Sequence, residues 1–228
     1  MRMLLISDAH GNYQATKQLF ENVKFDEALF LGDAVDYGPE PAETVDMIFS
    51  NCNRIITGNH DYAAATGSDC GCAPAMHDLS VYTRENITLK DLGKSDLEKL
   101  RNLPDSLQFE VDGLKFFAVH GSPYNHLQGY VFATELEMIW KDKSLRDYDY
   151  ILFGHTHFQT LYRGKLINPG SSGQPRDGIW MPSYAILNTE NREVTFHRFK
   201  YDNSKTISLI RKRVTDERFL KQLEPLYL

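Results

Sequence analysis

No run of apolar residues in this 228-residue chain approaches the roughly 20 needed to cross a bilayer. The first residues lead straight into a strand-like run, without the charged, apolar and small-residue order of a secretory signal. A membrane is therefore not expected among the partners. Cysteine is scarce: Cys52, Cys70 and Cys72 cannot all pair within one chain, which excludes a disulfide framework and makes a reducing cytoplasm the simplest home. Basic excess is absent too. With 25 Lys and Arg against 31 Asp and Glu, the formal net charge of −6 gives no overall field for non-specific nucleic-acid binding. The aromatic residues are scattered without the basic interleaving of a single-strand-binding face. Repeats, low-complexity tracts and linkers are also missing, so residues 1–228 read as one domain with a helical tail over about 204–228.

What is present is a recurring grammar of short apolar runs that stop on polar residues. Ala28-Leu29-Phe30-Leu31 ends in Gly32-Asp33, Met3 to Ser7 in Asp8-Ala9-His10, and Arg54 to Thr57 in Gly58-Asn59-His60-Asp61. Such runs read as buried strands. Between them, Asn12 to Val23 carries Ala15, Leu19, Phe20 and Val23 at helical spacing, and a second helix opens at Pro41. This βαβαβ order predicts a parallel sheet with functional groups at the carboxyl ends of its strands.

From Tyr62 to about Leu103 the sequence is polar, helical and loop-like, with a helix start and capping box at Ser95-Asp96-Leu97-Glu98. Leu107–Val111 and Leu114–Val119 flank Asp112-Gly113, a hairpin signal. The second of these runs ends on His120-Gly121. Val131 to Trp140 reads as helix, and Tyr150 to Phe153 as a strand running into Gly154-His155-Thr156-His157. Short strands flank Arg163-Gly164-Lys165, then a Gly/Ser/Pro loop spans Asn168 to Gly178. A hairpin of Tyr184–Leu187 and Glu193–Tyr201 precedes the tail, whose apolar residues pack on the body or on a partner such as a second copy.

Nine polar residues thus share one topological position: Asp8, His10, Asp33, Asn59, His60, Asp61, His120, His155 and His157. Any one of them alone reads as a hydrogen-bonded strand end; together they read as a site. Oxygen and imidazole ligands without thiolate suit zinc, manganese or iron rather than a purely magnesium or calcium site. Asp33 is the natural shared ligand of a two-metal centre, since an anionic carboxylate can serve both cations.

Asp-x-His, Gly-Asp, Gly-Asn-His-Asp, His-Gly and Gly-His-x-His, in this order from Asp8 to His157, resemble the motifs of the calcineurin-like metallophosphoesterase superfamily. Asn168-Pro169-Gly170-Ser171 and Gln174-Pro175-Arg176-Asp177 are similar to a prokaryotic subgroup of small single-domain phosphodiesterases and diadenosine tetraphosphate hydrolase-like members. The resemblance implies an α+β, four-layer αββα sandwich with two mixed β-sheets. It implies that Asp8, His10 and His157 hold one metal, that Asn59, His120 and His155 hold the other, and that Asp33 bridges them. It further implies His60 as the catalytic histidine, oriented by Asp61. Manganese, iron, zinc and nickel all fit such ligands. Two metals roughly 3.5–4 Å apart activate a bridging hydroxide and withdraw charge from phosphoryl oxygens. An imidazole held by a carboxylate then protonates the leaving oxygen.

Gly32-Asp33-Ala34-Val35-Asp36-Tyr37-Gly38 is similar to a stretch of the serine/threonine protein phosphatases and symmetrical diadenosine tetraphosphate hydrolases. Those carry arginine where this chain has Tyr37, which weighs against a protein phosphatase. Arg176 either supplies the missing phosphate grip or pairs with Asp177 at the surface; Tyr37 and Asn12 join it as candidate substrate contacts. Cys70-Gly71-Cys72 with His77 offers too few ligands for a structural zinc and reads as a loop with free thiols at the pocket rim. Tyr124 and His126 either line the cleft or pack, and His197 reads as structural. The expected activity is metal-dependent hydrolysis of a small phosphorylated substrate, with a lean to a nucleotide phosphodiester or dinucleoside polyphosphate. A general phosphomonoesterase or protein phosphatase, a superfamily nuclease and a non-catalytic metal-binding scaffold are the alternatives.

Overall fold

The apolar runs of the first third lie side by side in the computed structural model of the chain, which describes residues 1–228. β1 (Arg2–Ile6) and β2 (Glu27–Phe30) are parallel, in register from Met3 against Glu27 to Ile6 against Phe30. β3 (Arg54–Ile55) runs parallel to β2, and α1 (Tyr13–Asn22) and α2 (Pro41–Asn51) make the crossovers. The third strand is shorter than the run Arg54 to Thr57 predicts. Beyond Ile56 the chain leaves β2, and Thr57 donates its N–H to Pro104 O instead.

α3 (Asn59–Thr66) follows at once, then α4 (Pro74–Thr83), a π turn at Arg84–Thr88, α5 (Leu89–Asp91) and α6 (Lys94–Arg101). The cap of α6 falls earlier than expected. Gly93 is the N-cap, and Asp96 is the acidic half of the box, accepting the Gly93 N–H at 3.2 Å. β4 (Ser106–Val111) and β5 (Leu114–Val119) form the hairpin, with Asp112 and Gly113 at φ 52° and 73°, as a two-residue turn requires. α7 (Ala133–Lys141), β6 (Tyr150–Leu152), β7 (Gln159–Tyr162) and β8 (Leu166–Pro169) come next. Asn168 and Pro169, expected in a loop, therefore end a strand. β9 (Ser183–Asn188) and β10 (Glu193–Arg198) form the last hairpin.

Two mixed five-stranded sheets result, ordered β10-β9-β1-β2-β3 and β4-β5-β6-β8-β7. The alternation along β1 shows how they stack. Met3 and Leu5 join Leu29, Leu31, Phe116, Ala118, Leu152 and Ile167 between the sheets, whereas Leu4 and Ile6 pack outward with Leu19, Val45 and Ile48 of the first two helices. Phe117, Val119, Ile151 and Phe153 cover the outer face of the other sheet with Val131, Ile139 and Leu145. This is the four-layer αββα arrangement. Strands buried on both faces must be apolar throughout, which is why they appear as unbroken runs. Each such side chain contributes about 1.5–3 kcal/mol on burial.

The tail forms α8 (Ser204–Arg213) and α9 (Glu217–Leu223), followed by a 3-10 turn. Ile207, Ile210, Val214, Phe219, Leu223 and Tyr227 close over Tyr37, Leu79 and Ile87. The apolar residues that suggested a partner are therefore covered by the chain's own body. No helix is long and apolar enough to cross a membrane.

Candidate metal centre

The chain reverses sharply where β1, β2 and β6 end, and those reversals carry the polar residues. Asp8, His10, Asp33, His155 and His157 all have positive φ, between 43° and 65°, as do Asp36 and Tyr37. Non-glycine residues avoid this region, at a cost of about 1–3 kcal/mol each, so such clustering marks a functional site. Gly58 makes room for one of the turns: a Cβ there would lie 2.0 Å from Asp33 Oδ1. That space lets the first turn of α3 approach, and His60 N donates to Asp33 Oδ1 at 2.9 Å.

The ligand atoms fall into two groups, Asp8 with His10 and His157, and Asp33 with His120 and His155, each within 4.8 Å. Asp33 Oδ2 stands between them, 3.8 Å from His10 Nε2 and 3.2 Å from His120 Nε2. Asn59 Oδ1 lies 3.0 Å from His120 Nε2 and so belongs with the second group. The Nδ1 atoms of His10, His120 and His157 face the carbonyl oxygens of Val35, Leu31 and Gln174. A carbonyl only accepts, so each Nδ1 carries the proton and each Nε2 is turned inward, the pattern of metal-ligating histidine.

The donor set fits cations. Both Asp8 oxygens and His155 Nε2 are buried without a hydrogen-bond partner, and orphaned buried groups of this kind are rare and costly. Burial, with the Asp33 charge adding to it, pushes Asp8 up to about 7. Burial holds His10 and His157 well below the usual imidazole range, and takes His155 down to about 3, with His120 adding to the effect. At His120 burial is outweighed by Asp33, whose carboxylate raises the imidazole to about 9. A divalent ion requires neutral imidazoles, which His10, His155 and His157 are, whereas His120 must first give up its proton.

His60 is buried beside this centre, its ring edge-on to His10 at 5.2 Å. Asp61 does not orient it. Residues 60 and 61 project about 100° apart around a helix, and Asp61, third in α3, turns back to accept the N–H groups of Gly58, Asp33 and Ala34 at 2.7 to 3.1 Å. The partner is Asp36, whose Oδ2 lies 2.9 Å from His60 Nδ1 and which is held by Arg84 and Thr88. Sequence reading passed over Asp36 although it stands three residues after Asp33.

Arg176 does not pair with Asp177, which binds Arg198 instead. It leans on Gln174 and lies 5.2 Å over the ring of Tyr37. Tyr37 is fully buried between His10 and His60, with its hydroxyl unpartnered. Asn12 corrects the expectation of a substrate contact. Its amide donates to Gly173 O and Tyr201 OH, and its Oδ1 caps α1 through Ala15 N, so it secures the loop and leaves nothing for a ligand. Tyr124 is exposed and bonds Asp142, His126 pairs with Asp105, and His197 stacks on Tyr184. Tyr130, which sequence reading missed, lies against His155 at 4.2 Å between ring centroids.

A sandwich of two mixed sheets with paired oxygen and imidazole clusters at its strand ends defines a metal-dependent hydrolase of phosphoric esters. Residues 1–192 match the family model described as the calcineurin-like phosphoesterase superfamily domain, and the chain belongs to that family. A phosphodiesterase of Methanocaldococcus jannaschii is 28% identical over 85% of this chain and 96% of its own length. A symmetrical bis(5'-nucleosyl)-tetraphosphatase of Baumannia cicadellinicola is 31% identical over 71% of this chain and 55% of its own. Among solved structures, a metallophosphoesterase from Sphaerobacter thermophilus superposes with a TM-score of 0.81 at 27% identity, covering 100% of this chain and 99% of that one.

Proposed function

We propose that the chain hydrolyses a phosphodiester or phosphoanhydride of a nucleotide at a two-metal centre. Asp8, His10 and His157 would hold one ion, Asn59, His120 and His155 the other, and Asp33 both. The observation that carries this reading is Asp33 Oδ2 standing within 3.8 Å and 3.2 Å of the Nε2 atoms of His10 and His120. When bound, such a pair supplies a nucleophile at neutral pH and neutralises charge developing on the phosphoryl oxygens.

The chain's own residues do the rest. His60 delivers a proton to the leaving oxygen. Burial disfavours its charged form, but Asp33 and the hydrogen bond that His60 Nδ1 donates to Asp36 raise its pKa above the usual imidazole range, which keeps that proton in place. Arg176 offers a bidentate grip on phosphate oxygens from its seat over Tyr37. Beside Arg176 an open cavity of about 460 Å³, lined by Ile179, Trp180, Pro225 and Leu226, has the size and apolar character to take a nucleobase. None of its lining residues is a candidate metal ligand, so it suits the part of a substrate remote from the reacting phosphorus. The lean to nucleotides rests on this cavity and on the tetraphosphatase relative, and the lean to a diester on the phosphodiesterase relative.

A panel of phosphomonoesters, phosphodiesters, cyclic nucleotides and diadenosine polyphosphates, assayed with manganese, iron, nickel and zinc, tests the proposal. Turnover of a diester or dinucleoside polyphosphate above all monoesters is expected; inactivity across the panel in protein carrying both metals would overturn it. His60→Ala should retain both metals and lose about 10²–10⁴-fold in turnover.

A further inference from the structure

The segment between α3 and α4 places two sulfurs against His60. Cys70 and Cys72 are free thiols with their Sγ atoms 2.7 Å apart, and a ring nitrogen of His60 lies within 4.8 Å of both. Cys70 is buried and Cys72 half-buried, so the pair is shielded but reachable from the rim. Gly71 turns both side chains to one side. It has φ +60°, and a Cβ there would lie 2.4 Å from the Gln128 amide. The Arg84 guanidinium is close by, but its charge is already matched by Asp36 at 2.8 Å.

We propose that Cys70, Cys72 and His60 form a third metal site, selective for a thiophilic cation such as zinc, cadmium or copper(I). Thiolates select soft ions, whereas the carboxylate and imidazole centre takes harder ones such as manganese. Two sulfurs and one imidazole nitrogen with an open fourth position are a recognised donor set for zinc. Along the chain His77 is the histidine nearest the two cysteines, which makes too few ligands for a structural zinc; the fold supplies His60 instead. His77 turns outward to Asp69 at 2.7 Å. Binding of a divalent ion forms two metal–sulfur bonds and one metal–nitrogen bond, and releases the two thiol protons and the proton on the ligating ring nitrogen of His60 to solvent.

The site also reaches the hydrolytic centre. Cys70 O accepts the Asn59 amide at 2.8 Å, and Ser80 Oγ lies 3.5 Å from Cys70 Sγ and 3.2 Å from His60 Nδ1. A cation held by the sulfurs takes the imidazole that the proposed function assigns to the leaving group. Excess zinc or cadmium therefore inhibits an enzyme that manganese activates. This consequence rests on the proposed role of His60, whereas the metal site itself does not.

Cobalt(II) added to reduced, manganese-loaded protein tests the site directly. Sulfur ligation gives near-ultraviolet thiolate-to-cobalt charge-transfer absorption, which oxygen and imidazole ligands do not produce. The expected result is that absorption in the wild-type chain, its loss in Cys70→Ser/Cys72→Ser, and at least tenfold weaker binding in His60→Ala. Absorption that is absent from the wild type, or unchanged in the double variant, overturns the site. Cadmium should then inhibit aryl phosphodiester turnover at concentrations at least tenfold lower in the wild type than in Cys72→Ser; equal sensitivity overturns the inhibitory coupling. A chain inactive on every phosphoester but showing the absorption would sink the proposed function and leave the sulfur site standing.

Discussion

The two halves of the centre handle buried charge in opposite ways. Around Asp33, the half built by Asn59 and His120 is largely satisfied from within. His120 Nε2 meets Asp33 Oδ2 at 3.2 Å, Asn59 donates to Cys70 O, and a proton on His120 balances the carboxylate. The half built by Asp8, His10 and His157 has no such remedy. Asp8 accepts no hydrogen bond, and the Nε2 atoms of His10 and His157 point their lone pairs at each other across 3.2 Å. Since both Nδ1 atoms face carbonyls, only a cation between the rings relieves that arrangement. Apart from His155 Nε2, one half is self-neutralising, whereas the other leaves its buried donors open to a cation.

Asp33 belongs to both halves, so replacing it should produce the largest effect. Asp33→Asn keeps the shape, removes the shared anion and should deplete both metals together, with turnover down by at least about a thousandfold; elemental analysis alongside kinetics checks this. Loss of one metal alone would show that the halves are independent. Without any metal, Asp8→Asn probes the half open to a cation. The folded pKa of Asp8 lies at about 7, above its ordinary 3.8. The folded apoprotein therefore holds a proton that the unfolded chain releases. Ionisation removes stability as pH rises from about 4 to 7, and the loss is constant above that. At pH 8 the metal-free Asn variant should be more stable than metal-free wild type by at most about 4 kcal/mol, at 1.36 kcal/mol per pKa unit. Thermal melts in chelator at pH 4.5 and pH 8 read the difference, which should shrink at the lower pH. A gain independent of pH would mean that Asp8 is not the strained group.

These contrasts also mark how much the sequence discloses. The strand ends were legible because doubly buried strands must be apolar, so a polar residue closing such a run stands out. That is why the nine residues from Asp8 to His157 could be picked out together, whereas the stacking of two sheets came only with the family resemblance. Adjacency misled at His60. Nearness along a helix is not nearness in space, and the carboxylate beside it, Asp61, caps the helix while Asp36 arrives from another turn. Asn12 failed for a related reason: a polar residue near a motif is as useful for fixing a loop as for touching a ligand. The positive φ angles of the ligands left no composition signal at all, because Asp and His, unlike glycine, do not advertise that conformation. The tail read correctly as helix, but its docking over Tyr37 depends on shape and could not be read from periodicity.

Asn59→Ala should act on the self-neutralising half alone. It removes an oxygen donor and the bond to Cys70 O, and should weaken the second metal by at least the 10–100-fold typical of losing a supporting partner. The first metal should stay bound; equal loss of both would erase the distinction between the halves.

The smallest effect is the most discriminating, because it needs no mutation. Protons compete with metals for ligands, and one displaced proton changes affinity tenfold per pH unit. In the first half the competing proton sits on Asp8, raised to about 7 by burial, while His10 and His157 are already neutral. Affinity there should rise about tenfold per unit up to pH 7 and level off. In the second half the competing proton sits on His120, held to about 9 by Asp33 against the opposing effect of burial. Affinity there should go on rising for about two further units. Manganese titrations followed by calorimetry from pH 6 to pH 9.5 should resolve one site whose affinity stops changing near neutrality and one that tightens well beyond it. If both sites level off at the same pH, the two halves share one proton, and the contrast between a self-neutralising half and a half open to a cation does not hold.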